Sequence, residues 1–384
     1  MVADGWVKAS GSPLNMDLIH LDARPGVIDV FAMKLLLSSM PSLRSIRSAL
    51  LTMVCCAQLA TPLGLARAAD GGAPLPGPTD LQGQRQVGRI DAKSGQMIEN
   101  VDVSNPNGPC IIVPAGVTDV TIRHSRIGPC GPTANLNDYG VLILDGASNI
   151  TIQGNVIHDV GSGVKAFKAT NPLVVERNFF YNIRGPLYNG QAVQFNSVDG
   201  GSASSRISCN VSDANYGDGH KFYEDHISLF KSSGTPSAPI EVAFNRIRGG
   251  VSKSGGGITV GDKGGGWIYV HDNVVVTVPN SGIGVAGGSN IRVENNRVDN
   301  RGRNAASLTH NAYYVRALSS CSNITIKGNR GIARLWNWKE TRGDVVRGYR
   351  HGPEQCSGVD DQDNSFGDDS LSPDMFSEAL PACR

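Results

Sequence analysis

The densest group of titratable side chains in the repeating part of the chain lies in the insertion from Ser212 to Asp225, which leads directly into the strand that carries His226 and Lys231. The members of the group are Asp213, Asp218, His220, Lys221, Tyr223, Glu224, Asp225 and His226. Carboxylate oxygens are the ligands that hard cations prefer, and a lysine or histidine beside them can accept a proton from a substrate. The segment therefore offers a cation site next to a base, and a solvated polar loop with paired charges is the alternative.

Polar residues also recur at one place in the short apolar strands on either side of this segment. The residue after the first apolar position in successive strands is Lys165, Gln194, Ser228, Thr259 and Gly284. Because side chains alternate along a strand, this set is expected to face outward on one wall. The wall ends in glycine-rich strands, where either a ligand could approach the backbone or the glycines simply permit tight turns.

We predict three sets of site residues on this wall. Proton transfer, or neutralisation of a substrate carboxylate, is assigned to Lys231, His226 and Lys165. Contacts to the substrate are assigned to Gln194, Ser228, Thr259, Lys168 and Lys263. A hard cation would be held by Glu224, Asp225 and Asp262. A lysine among other cations has its pKa lowered by like charge, which favours a role as base.

Seven asparagines punctuate the strands at intervals of 23 to 35 residues. They are Asn155, Asn178, Asn210, Asn245, Asn273, Asn296 and Asn329, in phrases such as NITIQGN and NIRVENN. A fixed landmark with filler of variable length is typical of a solenoid with unequal loops. Since asparagine tolerates a tight bend and can hydrogen-bond its amide to the next copy, we expect the seven to stack in one column.

The strand pattern predicts an all-β, single-stranded parallel β-helix of about eight coils between residues 90 and 338. Alternation places eight apolar residues in its interior: Ile152, Val242, Ile268, Val270, Ile291, Val293, Ile324 and Ile326. Each coil is predicted to begin at a pair of apolar residues, and the last such pair begins near Tyr314. Residues 69–89 are rich in glycine and proline and are predicted to form a linker. The polar residues 339–384 are predicted to form an irregular cap over the open end of the core.

Composition supports this architecture and excludes one class of partner. Charged residues make up 18% of the chain, aromatic residues 6%, and glycines number 47 of 384, as suits a β-rich chain with many turns. The net charge of +1 gives no basic surface of the kind that binds nucleic acid. Composition and length do not set the oligomeric state.

The first 68 residues resemble an export signal preceded by an upstream extension. A basic stretch that starts at Met33 leads into the apolar run from Ala49 to Ala60, and small residues precede a cleavage site near Ala68. The run is too short to span a bilayer, so no membrane insertion is expected after cleavage. We therefore expect a protein exported to the periplasm or the extracellular medium.

Six cysteines follow the predicted cleavage site, and an even number in an exported protein favours disulfide bonds. Cys110 with Cys130 could staple the first full coil, and Cys356 with Cys383 could fix the tail. No CxxC pair occurs, which disfavours a zinc site.

On the NxTIxxNxI phrases and the asparagine column, residues 90–335 resemble the right-handed parallel β-helix proteins of the pectate-lyase-like superfamily. That resemblance implies a right-handed solenoid and a secreted polysaccharide as ligand. Members of the superfamily use Ca²⁺ held by acidic side chains with lysine or arginine as base, which implies Ca²⁺ as the cofactor here. The fold alone does not fix the chemistry, because the superfamily also includes hydrolases, epimerases and adhesins.

From the resemblance and these residues we predict a lyase that cleaves a linear acidic polysaccharide by β-elimination. The cation would neutralise the uronate carboxylate and the base would remove the C5 proton. The Arg-x-Pro-x-x-Arg signature of pectate lyases is absent, which argues against pectate itself. Two alternatives stay open: a glycoside hydrolase that uses paired carboxylates in the same groove, and a non-catalytic carbohydrate-binding protein.

Overall fold

The computed structural model describes residues 75–131, 138–186, 189–217, 224–302, 311–337, 340–346, 349–351 and 356–383. The predicted extension and signal peptide at residues 1–68 lie outside this part of the chain. The described residues wind into a parallel β-helix with three faces, as the sequence predicts. Its strands are numbered β1 to β31 in chain order.

Face 1 and face 2 form one continuous sheet because strand β20 runs through both. Face 1 contains β2 (Ile90–Asp91), β5 (Ile111–Val113), β8 (Tyr139–Ile143), β11 (Ser162–Phe167), β14 (Val193–Asn196), β17 (Ile227–Ser233), the first part of β20 (Ile258–His271), β22 (Ser281–Val285), β25 (Asn311–Val315) and β29 (Tyr349–His351). Face 2 contains β3 (Met97–Glu99), β6 (Thr118–Arg123), β9 (Ser148–Gln153), β12 (Thr170–Glu176), β15 (Arg206–Ser208), β18 (Ile240–Ala243), the rest of β20, β23 (Gly288–Glu294), β26 (Cys321–Lys327) and β30 (Ser357–Gln362).

Face 3 is a separate sheet that closes each winding. It contains β1 (Arg85–Val87), β4 (Val101–Asn105), β7 (Arg126–Cys130), β10 (Val156–Val160), β13 (Phe179–Ile183), β16 (Val211–Asp213), β19 (Arg246–Arg248), β21 (Val274–Val276), β24 (Arg297–Asn300), β27 (Arg330–Asn337), β28 (Glu340–Val346) and β31 (Ser365–Phe366). Strand β28 pairs antiparallel with β27, and the other pairings on this face are parallel. Two short 3₁₀ helices, Pro373–Ser377 and Pro381–Cys383, follow β31.

The core consists of stacks of like side chains, one from each winding. On face 1 the register Val164, Val193, Ile227, Ile258 and Ile283 puts five branched residues in one inward column. On face 2 all eight residues that alternation places in the interior are buried. Burial of apolar surface is the main stabilising term of the solenoid, because each winding covers its neighbours.

The predicted asparagine column is present and fully hydrogen-bonded. Each asparagine donates from its backbone N–H and from Nδ2 to Oδ1 of the next, for example from Asn210 to Asn245 at 3.1 and 3.0 Å. The Nδ2 group also donates to a backbone carbonyl in the preceding winding, as from Asn245 to Ile207. The column starts at Ser125, whose N–H donates to Asn155, and it ends at Asn364. It therefore satisfies buried polar groups at the same bend in successive windings.

The windings continue beyond the predicted boundary at residue 338. Strands β29, β30 and β31 pair in parallel with β25, β26 and β27, so residues 349–351 and 356–366 extend the windings into the segment interpreted as an irregular cap. That these residues cap the open end of the core stays a prediction, and the described residues after Phe366 contact another surface. They turn back along face 3, where Leu371, Met375 and Phe376 pack on its outward apolar side chains.

The disulfide prediction was right for one pair and wrong for another. Cys110–Cys130 is present, but the predicted Cys356–Cys383 pair is not, because Cys383 bonds to Cys209 and Cys356 to Cys321. Strand β30 pairs with β26, which puts Cys356 beside Cys321 in the adjacent winding. The returning tail ends at the winding that contains Cys209. Three disulfides are typical of an exported protein.

The predicted linker packs in part against the solenoid. Leu75 and Leu81 lie on the outward side of face 3 with Val156, Phe179 and Tyr181. The carbonyl of Pro78 accepts a hydrogen bond from Arg126. The described residues contain no helical segment with the length and apolar character that a bilayer span requires.

Candidate functional site

The structure brings the predicted wall residues into one column on face 1. Lys165 pairs with Gln194, Gln194 with Ser228, Ser228 with Thr259, and Thr259 with Gly284. The column continues to Tyr314, which pairs with Gly284. Neighbouring strands lie about 4.8 Å apart, so the column is a linear wall parallel to the solenoid axis.

Asp225 is the most perturbed acid of the site. It precedes β17, and its Oδ1 accepts hydrogen bonds from the Thr259 hydroxyl at 2.8 Å and from the Gly256 N–H at 2.9 Å. Burial raises the pKa of this carboxyl to about 7, although both hydrogen bonds oppose the rise. The nearby charges of Glu224 and Asp262 raise it further. Asp225 can therefore exchange a proton near neutral pH.

Glu224 and Asp262 lie near enough to Asp225 for their charges to raise its pKa. Both carboxylate oxygens of Glu224 accept from the Ser254 hydroxyl at 2.9 Å. Desolvation raises the pKa of Asp262, and the adjacent Lys263 opposes that rise.

The three acids were predicted to hold Ca²⁺, and their arrangement does not fit that role. Among the described residues, no three His, Cys, Asp or Glu side chains converge as a metal site requires. The Asp225 oxygen Oδ1 is already occupied by two donors, and both Glu224 oxygens face a hydroxyl. We therefore derive no step through a metal ion.

His226 does not face the wall, contrary to the prediction. It is fully buried and faces the interior, where Nε2 lies 3.1 Å from the Gly249 carbonyl and Nδ1 lies 2.7 Å from the Ser212 hydroxyl. A carbonyl only accepts, so Nε2 carries the proton and Nδ1 accepts from Ser212. Burial lowers the pKa of the imidazole to about 4. His226 is a neutral residue of the core and not a base for a substrate.

Tyr314 belongs to the site and was missed in the sequence. The strand pattern in the sequence predicts that Tyr314 is the first inward residue of a strand on this face. In the structure Tyr313 is the inward residue and Tyr314 faces outward. A Cβ on Gly284 would lie 1.9 Å from the Tyr314 ring, so the ring covers the space that the glycine leaves open. Burial raises the pKa of the Tyr314 phenol, and the charge of Asp225 adds to the rise.

Thr259 connects these two groups. Its hydroxyl hydrogen is donated to Asp225, and the same side chain interacts with the Tyr314 phenol in a way that opposes part of the rise in the pKa of Tyr314. An acid that titrates near neutrality and a protonated phenol therefore meet at one point on the wall. A chain of this kind can deliver or accept a proton at a bound substrate.

Lys165 marks the other end of the wall. Its Nζ donates to Asn189 Oδ1 at 3.1 Å and lies 5.5 Å from the centre of the Tyr139 ring. Burial lowers the pKa of this amine. Next to it Gln194 is 7% exposed, and Ser228 is 4% exposed, so the middle of the wall is largely covered.

The remaining lysines lie at a bend and not on the wall. Lys168, Lys231 and Lys263 all have left-handed backbones, with φ of 52°, 50° and 58°. The first two occupy equivalent places where the chain passes from face 1 to face 2. The amine of Lys231 lies over the ring of Phe230, 5.5 Å from its centre. Within the described residues Lys231 forms no ion pair with Asp225 or Asp262, so the predicted pairing of this base with the acids is not observed.

The other titratable residues of this segment are not described at the face 1 site. Asp213 lies on face 3, where it binds Arg248 at 2.7 Å. Asp218, His220, Lys221 and Tyr223 lie outside the described residues. The group predicted from the sequence therefore reduces to Glu224 and Asp225, joined by Asp262, Thr259 and Tyr314 from other windings.

Comparison with known proteins agrees with the architecture. A family model described as "right handed beta helix region" matches residues 89–275. This match confirms the predicted resemblance to right-handed parallel β-helix proteins. A search of curated protein sequences gives no significant match.

Several solved structures are similar at low identity. An alginate lyase from Paenibacillus sp. str. FPU-7 is 13% identical with a TM-score of 0.34, over 72% of this chain and 99% of that one. A DFA-IIIase from Arthrobacter chlorophenolicus A6 is 13% identical with a TM-score of 0.39, over 73% and 67%. The surface adhesin PfbA of Streptococcus pneumoniae is 13% identical with a TM-score of 0.35, over 70% and 62%. None of these values bears on the activity of this chain.

Proposed function

We propose that the protein cleaves glycosidic bonds in a linear polysaccharide bound along face 1, with Asp225 as the acid. The observation that carries the proposal is the carboxyl of Asp225, whose pKa is raised to about 7 beside two further acids. A general acid must hold its proton at the working pH, and burial is the usual way in which a protein achieves this for a carboxyl.

The shape of the wall favours a polymer as the ligand. Its outward residues come from six successive windings and form a line parallel to the axis. Five of the six carry a side-chain amine, amide or hydroxyl, which are groups that hydrogen-bond to the hydroxyls of sugars. The interior of the described solenoid is filled with packed apolar side chains.

Hydrolysis is the reaction that the acids support best. Asp225 Oδ1 is occupied by Thr259 and Gly256, which leaves Oδ2 to donate its proton to the leaving glycosidic oxygen. Asp262 is the better candidate to activate water, because the Glu224 oxygens are engaged by Ser254. The water adds its hydroxide to the anomeric carbon and its proton passes to Asp262. Exchange with solvent then returns a proton to Asp225, so that one water is consumed for each bond.

Tyr314 and Thr259 support this acid. The Thr259 hydroxyl donates to Asp225 and so fixes the direction of the carboxyl. The Tyr314 phenol stays protonated, because burial raises its pKa, and it is available as a second donor to the substrate.

Elimination, which the sequence favoured, is the second candidate. The specific observation in its favour is Lys165, because burial lowers the pKa of its amine and a base for the C5 proton of a uronate must first lose its own proton. Lys165 lies three windings from Thr259, so elimination would take place at a different point on the wall.

The test is a panel of neutral and uronate-containing polysaccharides with two readouts. Hydrolysis releases reducing ends without ultraviolet absorbance, whereas elimination creates an unsaturated uronate that absorbs. We expect reducing ends alone, and their loss in Asp225→Asn. Binding without either product would overturn the enzymatic proposal and favour a carbohydrate-binding protein.

A further inference from the structure

Lys165 is separated from the acids by a measurable length of wall. Two residues, Gln194 and Ser228, intervene between it and Thr259. Three strand spacings correspond to about 14 Å along the axis. A sugar that contacts Lys165 is therefore not the sugar whose bond lies at Asp225.

Among the described residues, no carboxylate forms an ion pair with Lys165. Its hydrogen-bond acceptor is the neutral amide of Asn189, and its other close contact is the ring of Tyr139. Desolvation accounts for the lowered pKa of the amine, with no contribution from a carboxylate among the described residues. An ammonium group in this environment is stabilised by an anion that brings its own hydrogen-bond acceptors.

Gln194 supplies the second, independent observation. It occupies the next position on the wall and is 7% exposed, and its Oε1 is buried with no hydrogen-bond partner among the described residues. A buried acceptor without a donor is costly, so such groups usually mark a place that a ligand or water completes. A sugar hydroxyl is a donor of the required kind.

We propose that Lys165, Asn189 and Gln194 form a recognition pocket for one carboxylate-bearing sugar of the bound polymer. The Lys165 amine contacts the sugar carboxylate, and the Gln194 amide accepts from a ring hydroxyl of the same sugar. The inference rests on the proposed function and deepens it. The enzyme requires an acidic sugar at a fixed distance from the bond that it cleaves, while the sugar at Asp225 need not be acidic.

The experiment measures binding without turnover. Full-length Asp225→Asn protein is titrated calorimetrically with oligomers of galacturonate, mannuronate and glucuronate, and with the carboxyl-reduced counterpart of each. We expect at least one acidic oligomer to bind about tenfold or more tightly than its reduced form, as one charge-assisted hydrogen bond provides. Lys165→Gln in the same background removes this preference and leaves the affinity for the reduced oligomer unchanged.

Two controls keep the outcome interpretable. Lys165→Arg retains the charge and is expected to retain the preference. Lys168→Ala removes a lysine at the neighbouring bend and is expected to change nothing. A preference that survives Lys165→Gln, or the absence of any preference among the three acidic oligomers, would overturn the pocket. If the preference behaves as expected but the wild-type protein cleaves no polysaccharide, the pocket stands and the proposed cleavage fails.

Discussion

Faces 1 and 3 come from the same windings, yet their outer surfaces differ in kind. Face 3 presents an apolar stripe that includes Val156, Phe179, Val211 and Val274, and both ends of the described chain pack against it. Face 1 presents polar residues and a tyrosine. Apolar surface is driven out of water, so the chain covers face 3 with its own segments. Face 1, whose outward residues are polar, is the face to which we assign the ligand.

The acids of the two faces show the same contrast. On face 3 Asp299 is fully buried and binds Arg301 at 2.7 Å, and Asp213 binds Arg248 in the same way. On face 1 Asp225 is buried near two other acids, forms no ion pair with any arginine that the structure describes, and has a pKa raised to about 7. A paired buried carboxylate holds structure together, whereas an unpaired one is costly to keep and is typical of a functional site.

The largest expected effect is on face 3. Replacement of Cys209 and Cys383 by serine opens a loop of 174 residues, and the free energy of unfolding is expected to fall by about 5 kcal/mol. Urea denaturation measures this change, and the specific activity of the folded protein should be unaltered. The matched control is Cys110 and Cys130, whose separation of 20 residues predicts a smaller loss of about 3 kcal/mol. Lost activity in the folded Cys209 and Cys383 variant would mean that the tail acts on face 1.

The second largest expected effect is a loss of turnover when Asp225 on face 1 is replaced. Asp225→Asn keeps an acceptor for Thr259 and Gly256 but cannot donate a proton to a leaving group. We expect the turnover number to fall by about 10² to 10⁴, while the folded variant is at least as stable as the wild type. Asp299→Asn on face 3 should do the reverse, with lower stability and normal turnover. If both variants lose stability and neither loses turnover, the contrast between the faces is wrong.

The third test uses the pH dependence of stability. Asp225 has a raised folded-state pKa, so its stabilising contribution is complete below its usual value of 3.8 and is lost as the pH rises through about 7. The shift corresponds to about 4 kcal/mol between pH 4 and pH 8. The free energies of unfolding of the wild type and of Asp225→Asn, measured by urea denaturation across this pH range, should diverge by about this amount. The variant should be the more stable protein at high pH. Parallel curves would contradict the burial of an ionisable Asp225.

A smaller effect is expected where Gly284 makes room for Tyr314. Gly284→Ala places a Cβ against the ring and displaces the phenol from Thr259. We expect turnover to fall about tenfold, the typical scale for one misaligned hydrogen-bond donor. Tyr314→Phe should match it, and the double variant should be no worse than either single one. If the losses of turnover add up in the double variant, the two residues act independently.

The smallest effect concerns Lys231, which was predicted as a base. Its amine lies over Phe230 at the bend between faces 1 and 2. Lys231→Ala should therefore leave turnover within about twofold of the wild type, because no proton transfer depends on it. A loss of tenfold or more in initial rate would restore the sequence-based assignment.

Repetition made much of the architecture predictable from the sequence. The asparagine column, the inward apolar residues and the outward alignment of Lys165 with Gln194 all follow from two periods, the strand alternation and the recurring phrase. The same reasoning failed at the strand that contains Tyr313 and Tyr314, where the predicted register was wrong by one residue and the inward and outward residues were interchanged. In a strand such a shift reverses the face of every side chain, so one ambiguous apolar pair concealed a site residue.

The sequence by itself determined the solenoid and which residues share a wall, because winding, spacing and alternation are local properties that repeat. Tertiary structure alone decided the direction of the tail, the partner of Cys383 and the fate of each titratable group. Asp225 and His226 are adjacent in the chain, yet one reaches Thr259 on the wall and the other reaches Ser212 in the core. Their protonation depends on neighbours from other windings, because desolvation and hydrogen bonding act through space and not along the chain.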